Sequence, residues 1–428
     1  MRERKEALKA FLDRSHSVYH AVAELKALLE QEGYTGLSEG AAWELVPGGK
    51  YYMTRGGSAL VAFRIPREDP TGFMLSASHA DRPAFKVKDA QTAGAYTRIA
   101  TEKYGGMLIS TWLDRPLSVA GRVVVETEEG LESRLVDIDR DLLVIPNVAI
   151  HMNRSANEGY NWNPAVDTLP LFGDDKAAEK FGKLLEEAAG GKIAGTDLYL
   201  YLRQKASIWG MEEEYISAQA LDDLMCAWGC TRGFLRAEES RSIPVLSVFD
   251  SEEVGSATVQ GAGSRLLEHV LERIAGAREL DLRQLLSNSL MLSADNAHAR
   301  HPNHPELSDS IGAPTVGGGV VIKYNANQRY TTDGMSAALV KKFCEMAGVP
   351  VQSYYNRADI PGGSTLGCIS LAQVTVLSAD IGLAQLAMHS CWETAGANDI
   401  LALEDAMTAF YSSSLEQNRD GMYKICKK

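Results

Sequence analysis

The chain of 428 residues is 45% hydrophobic and 23% charged, and its formal net charge is −13 with neutral histidines. This composition is typical of a soluble globular protein, and the length favours two domains. No apolar run approaches the roughly 18 residues that a membrane helix needs, and the first residues mix both charge signs, unlike a signal peptide. We therefore expect a cytoplasmic protein that has no membrane partner. The acidic balance and the lack of basic patches argue against nucleic acid as a partner.

Strand and helix patterns alternate along the chain, with one interruption. Before the interruption, the apolar spacing predicts a helix over 18–29 and strands over 50–53, 58–65 and 73–77. The interruption contains short predicted strands at 123–125, 134–138, 142–145 and 198–202, and a polar helix over 174–189. After residue 210 the sequence predicts strands at 245–249, 290–294, 320–323, 351–355 and 374–378, and helices at 222–235, 265–274 and 335–347.

This alternation predicts an α/β fold with a mixed, mostly parallel sheet between helices. We expect one domain that is split in sequence, formed by residues 1–88 and 210–428. The interruption, residues 89–209, is predicted to be an inserted β-rich domain.

A histidine and an aspartate follow the strand predicted at 73–77. His79 and Asp81 are two residues apart, so on an extended backbone they point to the same side. A carboxylate in that place can orient the imidazole of a metal-bound histidine. The alternative is a loop histidine with ordinary hydrogen-bond partners.

Adjacent acids follow the strand predicted at 245–249. Glu252 and Glu253 repel each other unless a cation or a water separates their tasks. One carboxylate can bind a metal ion while its neighbour takes a proton from water. The alternative is a solvated acidic turn.

Three further residues stand near predicted element ends, and each has an ordinary explanation by itself. Asp222 opens a predicted helix, Asp295 follows a predicted strand, and His389 follows an apolar run. Taken with the residues above, two histidines and three carboxylates, with Glu252 as base, could form a two-metal hydrolytic site. Spacing alone does not show that such distant residues converge.

Motifs in many parts of the chain resemble those of peptidase family M18, which contains the aspartyl aminopeptidases and vacuolar aminopeptidase I. The similar stretches are 78–83, 112–115, 145–151, 221–224, 250–256, 260–264, 293–299, 301–303, 322–330, 362–365 and 388–390. They occur in family order and cover nearly the whole chain.

The resemblance implies a zinc-peptidase-like catalytic domain with an inserted dimerisation domain, and a homo-oligomer that is a tetrahedral dodecamer built from dimers. It implies two divalent metal ions per subunit, zinc or else cobalt or manganese. One metal ion would be held by His79, Asp222 and Asp295, and the other by Asp222, Glu253 and His389. Asp222 would bridge the two ions. Glu252 would be the general base and Asp81 would orient His79.

The resemblance also implies roles for three residues outside the metal ligands. His151, in the insert, would reach the active site of a neighbouring subunit, and His298 and Lys323 would line the substrate site. Lys323 could supply the cation that an Asp or Glu side chain of the substrate requires. The alternatives are a surface histidine and a solvated lysine at a strand end.

The implied function is removal of N-terminal Asp or Glu from peptides by a water that two metal ions activate. An aminopeptidase of neutral or broad preference is the first alternative, and a non-catalytic scaffold particle is the second. Arg82 and Asp223 depart from the family pattern without removing a ligand. They change the charge near the expected metals, so they bear on substrate preference more than on reaction type.

Overall fold

The computed structural model describes residues 1–360, 362–363 and 365–426. The first elements are α1 (Arg2–Leu12), α2 (Val18–Gln31), β1 (Thr35–Gly36), β2 (Lys50–Arg55), β3 (Ala59–Arg64) and β4 (Gly72–His79). They are followed by β5 (Ala84–Ala93), β6 (Tyr96–Tyr104), β7 (Leu117–Thr127), β8 (Gly130–Asp137), α3 (Pro164–Asp167), β9 (Leu171–Asp174), α4 (Ala178–Ala189) and β10 (Ile193–Leu202).

The remaining elements follow β10 in the chain, and most of their strands join the same sheet as β1 to β4. They are β11 (Ser207–Trp209), β12 (Tyr215–Ala218), α5 (Leu221–Arg236), β13 (Ser242–Phe249), α6 (Leu266–Ala277), α7 (Leu282–Ser287), β14 (Leu290–Ala294), β15 (Ala297–His298), β16 (Val320–Tyr324), α8 (Gly334–Ala347), β17 (Val351–Tyr355), α9 (Leu366–Leu371), β18 (Leu377–Leu386), β19 (Glu393–Gly396), α10 (Asp399–Tyr411), β20 (Ser414–Arg419) and β21 (Met422–Cys426).

A large sheet of 13 strands forms the centre of the first unit, which consists of the elements before β5 and after β10. Its middle strands β13, β4, β14 and β18 are mutually parallel, and antiparallel strands extend it on both sides. Every residue of β4, β13 and β14 is buried. That burial explains their continuous apolar runs, since helices cover both faces of the sheet. The predicted α/β fold with a mostly parallel sheet between helices is confirmed.

Helices on the two faces bury alternate residues of the same strands. Met74 of β4 packs in the core that contains α1, α2, α5, α8 and α10. Phe73 and Leu75 pack in the opposite core, which contains α6 and α7. Opposite packing of neighbouring residues follows from the two-residue period of a strand. The sheet is thereby held rigid between two apolar layers.

The second unit, from β5 to β10, contains a sheet of six strands. The strand order of this sheet is β8-β7-β10-β5-β6-β9, and all its pairings are antiparallel. Helix α4 packs on it through Phe181 and Leu185, which share one apolar core with strands β5, β7 and β10. The strands of this sheet run from Ala84 to Leu202, whereas the sequence predicts an insert of 89–209. β11, inside the predicted insert, pairs with β12 of the large sheet instead.

Two predicted strands differ from the structure. The strand expected at 374–378 starts at Leu377 and continues to Leu386, because an apolar stretch shows no sharp start. The strand expected at 142–145 forms only isolated bridges, which join Leu143 to Leu117, Val144 to Leu171 and Ile145 to Leu113. Among the described residues, no helix is both long and apolar enough to cross a bilayer.

Candidate metal centre

Parallel strands bring four of the predicted residues to one edge of the large sheet. His79 ends β4 and lies opposite Phe249, the last residue of β13. Glu252 and Glu253 follow β13 in a short 3-10 helix, and Asp295 follows β14. The carboxyl ends of parallel strands are where open α/β sheets bind their ligands.

Two loops bring the remaining predicted ligands to the same edge. Asp222 lies at the start of α5, where its φ and ψ angles leave the helical region. His389 lies between β18 and β19 with a φ of 66°. Glu393 joins these two loops, because its carboxylate accepts the backbone N–H of Asp222 at 3.0 Å and that of His389 at 2.7 Å.

Five side chains form two groups, and within each group the possible ligand atoms lie within 4.8 Å of one another. The first group is His79, Asp222 and Asp295, and the second is Asp222, Glu253 and His389. His79 Nε2 is 3.8 Å from Asp222 Oδ1, and His389 Nε2 is 3.4 Å from Asp222 Oδ2. His389 Nε2 is also 3.3 Å from Glu253 Oε1. Each oxygen of Asp222 therefore faces a different group.

The chemistry of these residues fits divalent metal ions. Asp222 Oδ1 and Glu253 Oε1 are buried and have no hydrogen-bond partner within the described part of the chain. A buried carboxylate oxygen without a partner is costly, and a cation removes that cost. Burial raises the pKa of Glu253 well above its ordinary value, and the nearby Asp222 raises it further. Histidine and carboxylate ligands in these numbers match zinc.

Glu252 lies beside the two groups without belonging to either. It lines a cavity of about 140 Å³ together with all five side chains. Burial raises the pKa of Glu252 to about 7; His79 opposes this rise, and the carboxylates of Asp295, Asp222 and Asp81 add to it. A carboxylate with a pKa near neutrality can both accept and release a proton at physiological pH.

Asp81 connects the strand end of β4 to the loop after β13. His79 Nδ1 lies 3.2 Å from the carbonyl oxygen of Asp81 and 3.3 Å from its Oδ1. The backbone N–H groups of Glu252 and Glu253 donate to the Asp81 carboxylate, each at 3.1 Å. These contacts turn the Nε2 atom of His79 toward Asp222.

The two predicted substrate-binding residues line the same cavity. Lys323 is 2% exposed, and its Nζ donates to the carbonyl oxygens of Asp295 at 2.7 Å and Asn296 at 3.1 Å. Nζ is also 3.5 Å from Asp295 Oδ1 and 5.2 Å from the centre of the Tyr330 ring. His298 lies at the end of β15 beside the cavity.

His151 lies apart from these residues. It is exposed in a turn of the second unit, within the long segment between β8 and α3. It does not belong to the described residues that line the cavity of the metal groups.

The departures from the family pattern have other partners. The guanidinium of Arg82 donates to the carbonyl oxygen of Ser15 at 2.7 Å, and burial lowers the pKa of Arg82 to about 10. Asp223 Oδ2 accepts the backbone N–H of His79 at 3.2 Å, and the Asp222–Asp223 peptide bond is cis. Asp223 is buried but belongs to neither ligand group.

Two residues of the site are absent from the sequence analysis. Glu393 supports Asp222 and His389, and Tyr104 of β6 donates its hydroxyl to Asp81 Oδ2 at 2.7 Å. The spacing of four residues from His389 to Glu393 is a weak signal. Nothing in the sequence pattern joins Tyr104 to Asp81.

Comparison with known proteins decides the family. The family profile described as aminopeptidase I zinc metalloprotease (M18) matches residues 11–411. The chain belongs to the M18 family. It is 42% identical over 408 residues to a Clostridium novyi protein named "Probable M18 family aminopeptidase 2", which covers 91% of this chain and 94% of that protein. A Pseudomonas paraeruginosa protein of the same name is 39% identical, over 96% of this chain and 99% of that protein.

Solved structures of the M18 type are similar over nearly the whole chain. Ape4 in the cryo-EM structure of the Ape4 and Nbr1 complex has a TM-score of 0.92 at 34% identity, over 95% of this chain and 85% of that chain. The S. cerevisiae mApe1 dodecamer has a TM-score of 0.85 at 27% identity, over 95% of this chain and 96% of that chain. This M18 protein is thus a hydrolase of the aminopeptidase type, from a family of zinc metalloproteases.

Proposed function

We propose that this M18 aminopeptidase removes N-terminal residues, preferably Asp or Glu, with two divalent metal ions per subunit. The observation that carries the proposal is the pair of three-residue groups that share Asp222 and lie beside Glu252. The mixed nitrogen and oxygen ligands suit zinc, and also cobalt or manganese. Bound there, the ions would polarise the peptide carbonyl and make the attacking water more acidic.

Glu252 is the proposed general base. It accepts the proton of the attacking water and returns it to the leaving amine. Asp81 orients His79 and fixes the backbone of Glu252 through the contacts described above. The acidic side chains of the cavity face the free amino group of the substrate, which confines cleavage to the first peptide bond.

Lys323 is the proposed source of the acidic preference. Among the described residues that line the cavity, Lys323 is the one lysine, and none is an arginine. Its positive charge would attract the carboxylate of a substrate side chain. A charge-assisted hydrogen bond from a buried lysine contributes about 1.5–3 kcal/mol. His298 lines the same cavity and is proposed to contact the substrate beside Lys323.

A neutral or broad preference is the second candidate, and one observation favours it. Two of the three Lys323 protons point to backbone carbonyls, and the ammonium group also lies near Asp295. In that case Lys323 would support Asp295 instead of choosing the substrate. Turnover of Asp-, Glu- and Leu-anilides with added zinc, cobalt or manganese separates the two candidates.

We also propose a homo-oligomer, a tetrahedral dodecamer built from dimers, in which the inserted domain expected at residues 89–209 supplies the dimer contact. Exposed apolar side chains near His151 support this proposal, since Val148, Ile150 and Met152 are 52%, 48% and 83% exposed. Exposed apolar clusters of this kind mark interaction surfaces. In such an assembly His151 would contribute to the active site of a neighbouring subunit.

The experiment that tests the reaction compares three Glu→Gln variants. Glu252→Gln should retain the metal ions and lose at least about 100-fold in kcat. Glu253→Gln should lose metal, as measured by elemental analysis. Glu268→Gln, on helix α6, is the matched control and should change neither. Near-normal turnover of Glu252→Gln would refute the base assignment, and a wild-type protein without hydrolytic activity would favour the scaffold alternative.

A further inference from the structure

The second unit reaches the metal centre through Tyr104, the last residue of β6. Its hydroxyl donates to Asp81 Oδ2 at 2.7 Å, and its ring packs edge-on against Tyr199, 5.7 Å between ring centres. Burial and the neighbouring Asp81 carboxylate raise the pKa of Tyr104, so the hydroxyl keeps its proton and remains a donor.

Asp81 is the point at which this contact enters the site. The carboxylate is 3% exposed and accepts three hydrogen bonds from outside its own loop, from Tyr104 and from the backbone of Glu252 and Glu253. Oδ2 accepts two of them, and Oδ1 also faces His79 at 3.3 Å. Loss of the Tyr104 hydroxyl would leave Oδ2 with one donor, so the Asp81 carboxylate beside His79 would be held less firmly.

The segment that follows Tyr104 packs against the ligand group that contains Glu253 and His389. A Cβ atom added at Gly105 would lie 3.1 Å from Cβ of Glu253, and one added at Gly106 would lie 3.9 Å from Nδ1 of His389. Leu108 donates its backbone N–H to the carbonyl oxygen of His389 at 3.0 Å. Thr111 accepts the backbone N–H of Cys391 at 3.0 Å through its hydroxyl. Residues 104–111 therefore contact Glu253 and His389 of the second ligand group, and they reach His79 of the first group only through Asp81.

We infer that Tyr104 is a positioning residue of the metal centre, which acts through Asp81 on His79 and on the backbone of Glu252 and Glu253. This inference rests on the proposed function, because it assigns Tyr104 to the metal site proposed there. It makes the second unit part of the active site of its own chain, in addition to any contact with another subunit. Hydrogen-bond partners of metal ligands commonly contribute 10- to 100-fold to metal affinity or activity.

The test replaces one hydroxyl at a time. Tyr104→Phe keeps the ring and removes the donor to Asp81. Tyr199→Phe is the matched control, because Tyr199 lines the same small cavity as Asp81 and Tyr104. Within the described part of the chain, the Tyr199 hydroxyl makes no hydrogen bond that the change would remove. Metal retention is measured by competition with a chelator, and the cobalt-substituted protein is compared by its visible absorption spectrum.

We expect Tyr104→Phe to bind metal about 10- to 100-fold more weakly and to change the cobalt spectrum, with a lower kcat and little change in KM. Tyr199→Phe should match the wild type in all these measurements. The melting temperatures of the two metal-free variants should agree, which separates positioning from a general loss of packing.

A double mutant shows whether Tyr104 acts through Asp81. The loss caused by Asp81→Asn should not increase when Tyr104→Phe is added, because the two changes break one connection. Additive losses, or wild-type metal retention in Tyr104→Phe, would overturn the inference. Equal losses in Tyr104→Phe and Tyr199→Phe would overturn it as well. If the wild-type protein itself binds no metal, the proposed function fails first.

Discussion

Glu393 offers the sharpest test of how the metal centre is held together. Its carboxylate is 2% exposed, and its two oxygens accept the backbone N–H groups of Asp222 and His389. These two residues belong to the group that also contains Glu253. Glu393→Gln preserves the size of the side chain but replaces one acceptor by an amide NH₂ that points at a donor.

The magnitude follows from the two bonds. A hydrogen bond to a charged group contributes about 1.5–3 kcal/mol, and a buried N–H left without an acceptor costs about 1–3 kcal/mol. Only one of the two N–H groups loses its acceptor in Glu393→Gln, so we expect the free energy of unfolding to fall by about 1–3 kcal/mol. Metal affinity should fall about 10- to 100-fold, because Asp222 and His389 lose their common support.

The assay measures urea unfolding of the metal-free protein and metal retention against a chelator. It is run at pH 8.5, because burial and the nearby Asp222 raise the pKa of Glu393 to about 8. The control is Glu404→Gln, which removes a buried carboxylate paired with Arg4 on helix α1. Glu404→Gln should lose stability and keep its metal affinity. Equal metal affinity in the two variants would refute the reasoning.

Three further predictions concern specificity, pH and assembly. Lys323→Met should weaken Asp- and Glu-anilides by about 10- to 150-fold in kcat/KM and leave Leu-anilide nearly unchanged; equal losses on all three would show that Lys323 supports Asp295 only. Burial lowers the pKa of His20 to about 4, so below its ordinary value of 6.5 the unfolded chain binds a proton that the folded chain does not. The wild type should lose about 2 kcal/mol between pH 7 and pH 5 in urea unfolding that His20→Asn does not lose; parallel curves would contradict this. Mixtures of His151→Ala and Glu252→Gln, each inactive alone, should regain activity in about one quarter of sites after subunit exchange; no recovery after verified exchange would exclude a role for His151 between subunits.

The central strands could be predicted from the sequence because their environment is uniform. Both faces of β4, β13 and β14 are covered, so their residues are apolar without interruption and each strand is visible as a short run. The strands β5 and β6 gave no such signal. They contain charged and polar residues at exposed positions, as expected for one sheet face in solvent.

The candidate site could be predicted only in part from local patterns. A histidine or an acid after an apolar strand marks a position at the edge of the sheet, and His79, Glu253 and Asp295 carry that mark. Asp222 and His389 lie in irregular backbone, so no periodicity points to them. Their convergence with the others was inferred from the family resemblance and not from spacing.

The supporting hydrogen bonds escaped prediction for a different reason. Asp81 binds the backbone of Glu252 across 171 positions of sequence, and Tyr104 binds Asp81 from another sheet. Such hydrogen bonds depend on how two sheets meet, and each partner is an ordinary residue in its own segment. The order of the chain makes this meeting necessary, since β5 starts five residues after His79 ends β4. Because β5 begins so soon after His79, a proposed metal ligand, the hairpin of β5 and β6 is held against the candidate metal centre. The interruption in the α/β pattern therefore places a second sheet within hydrogen-bond distance of Asp81, beside the proposed catalytic groups.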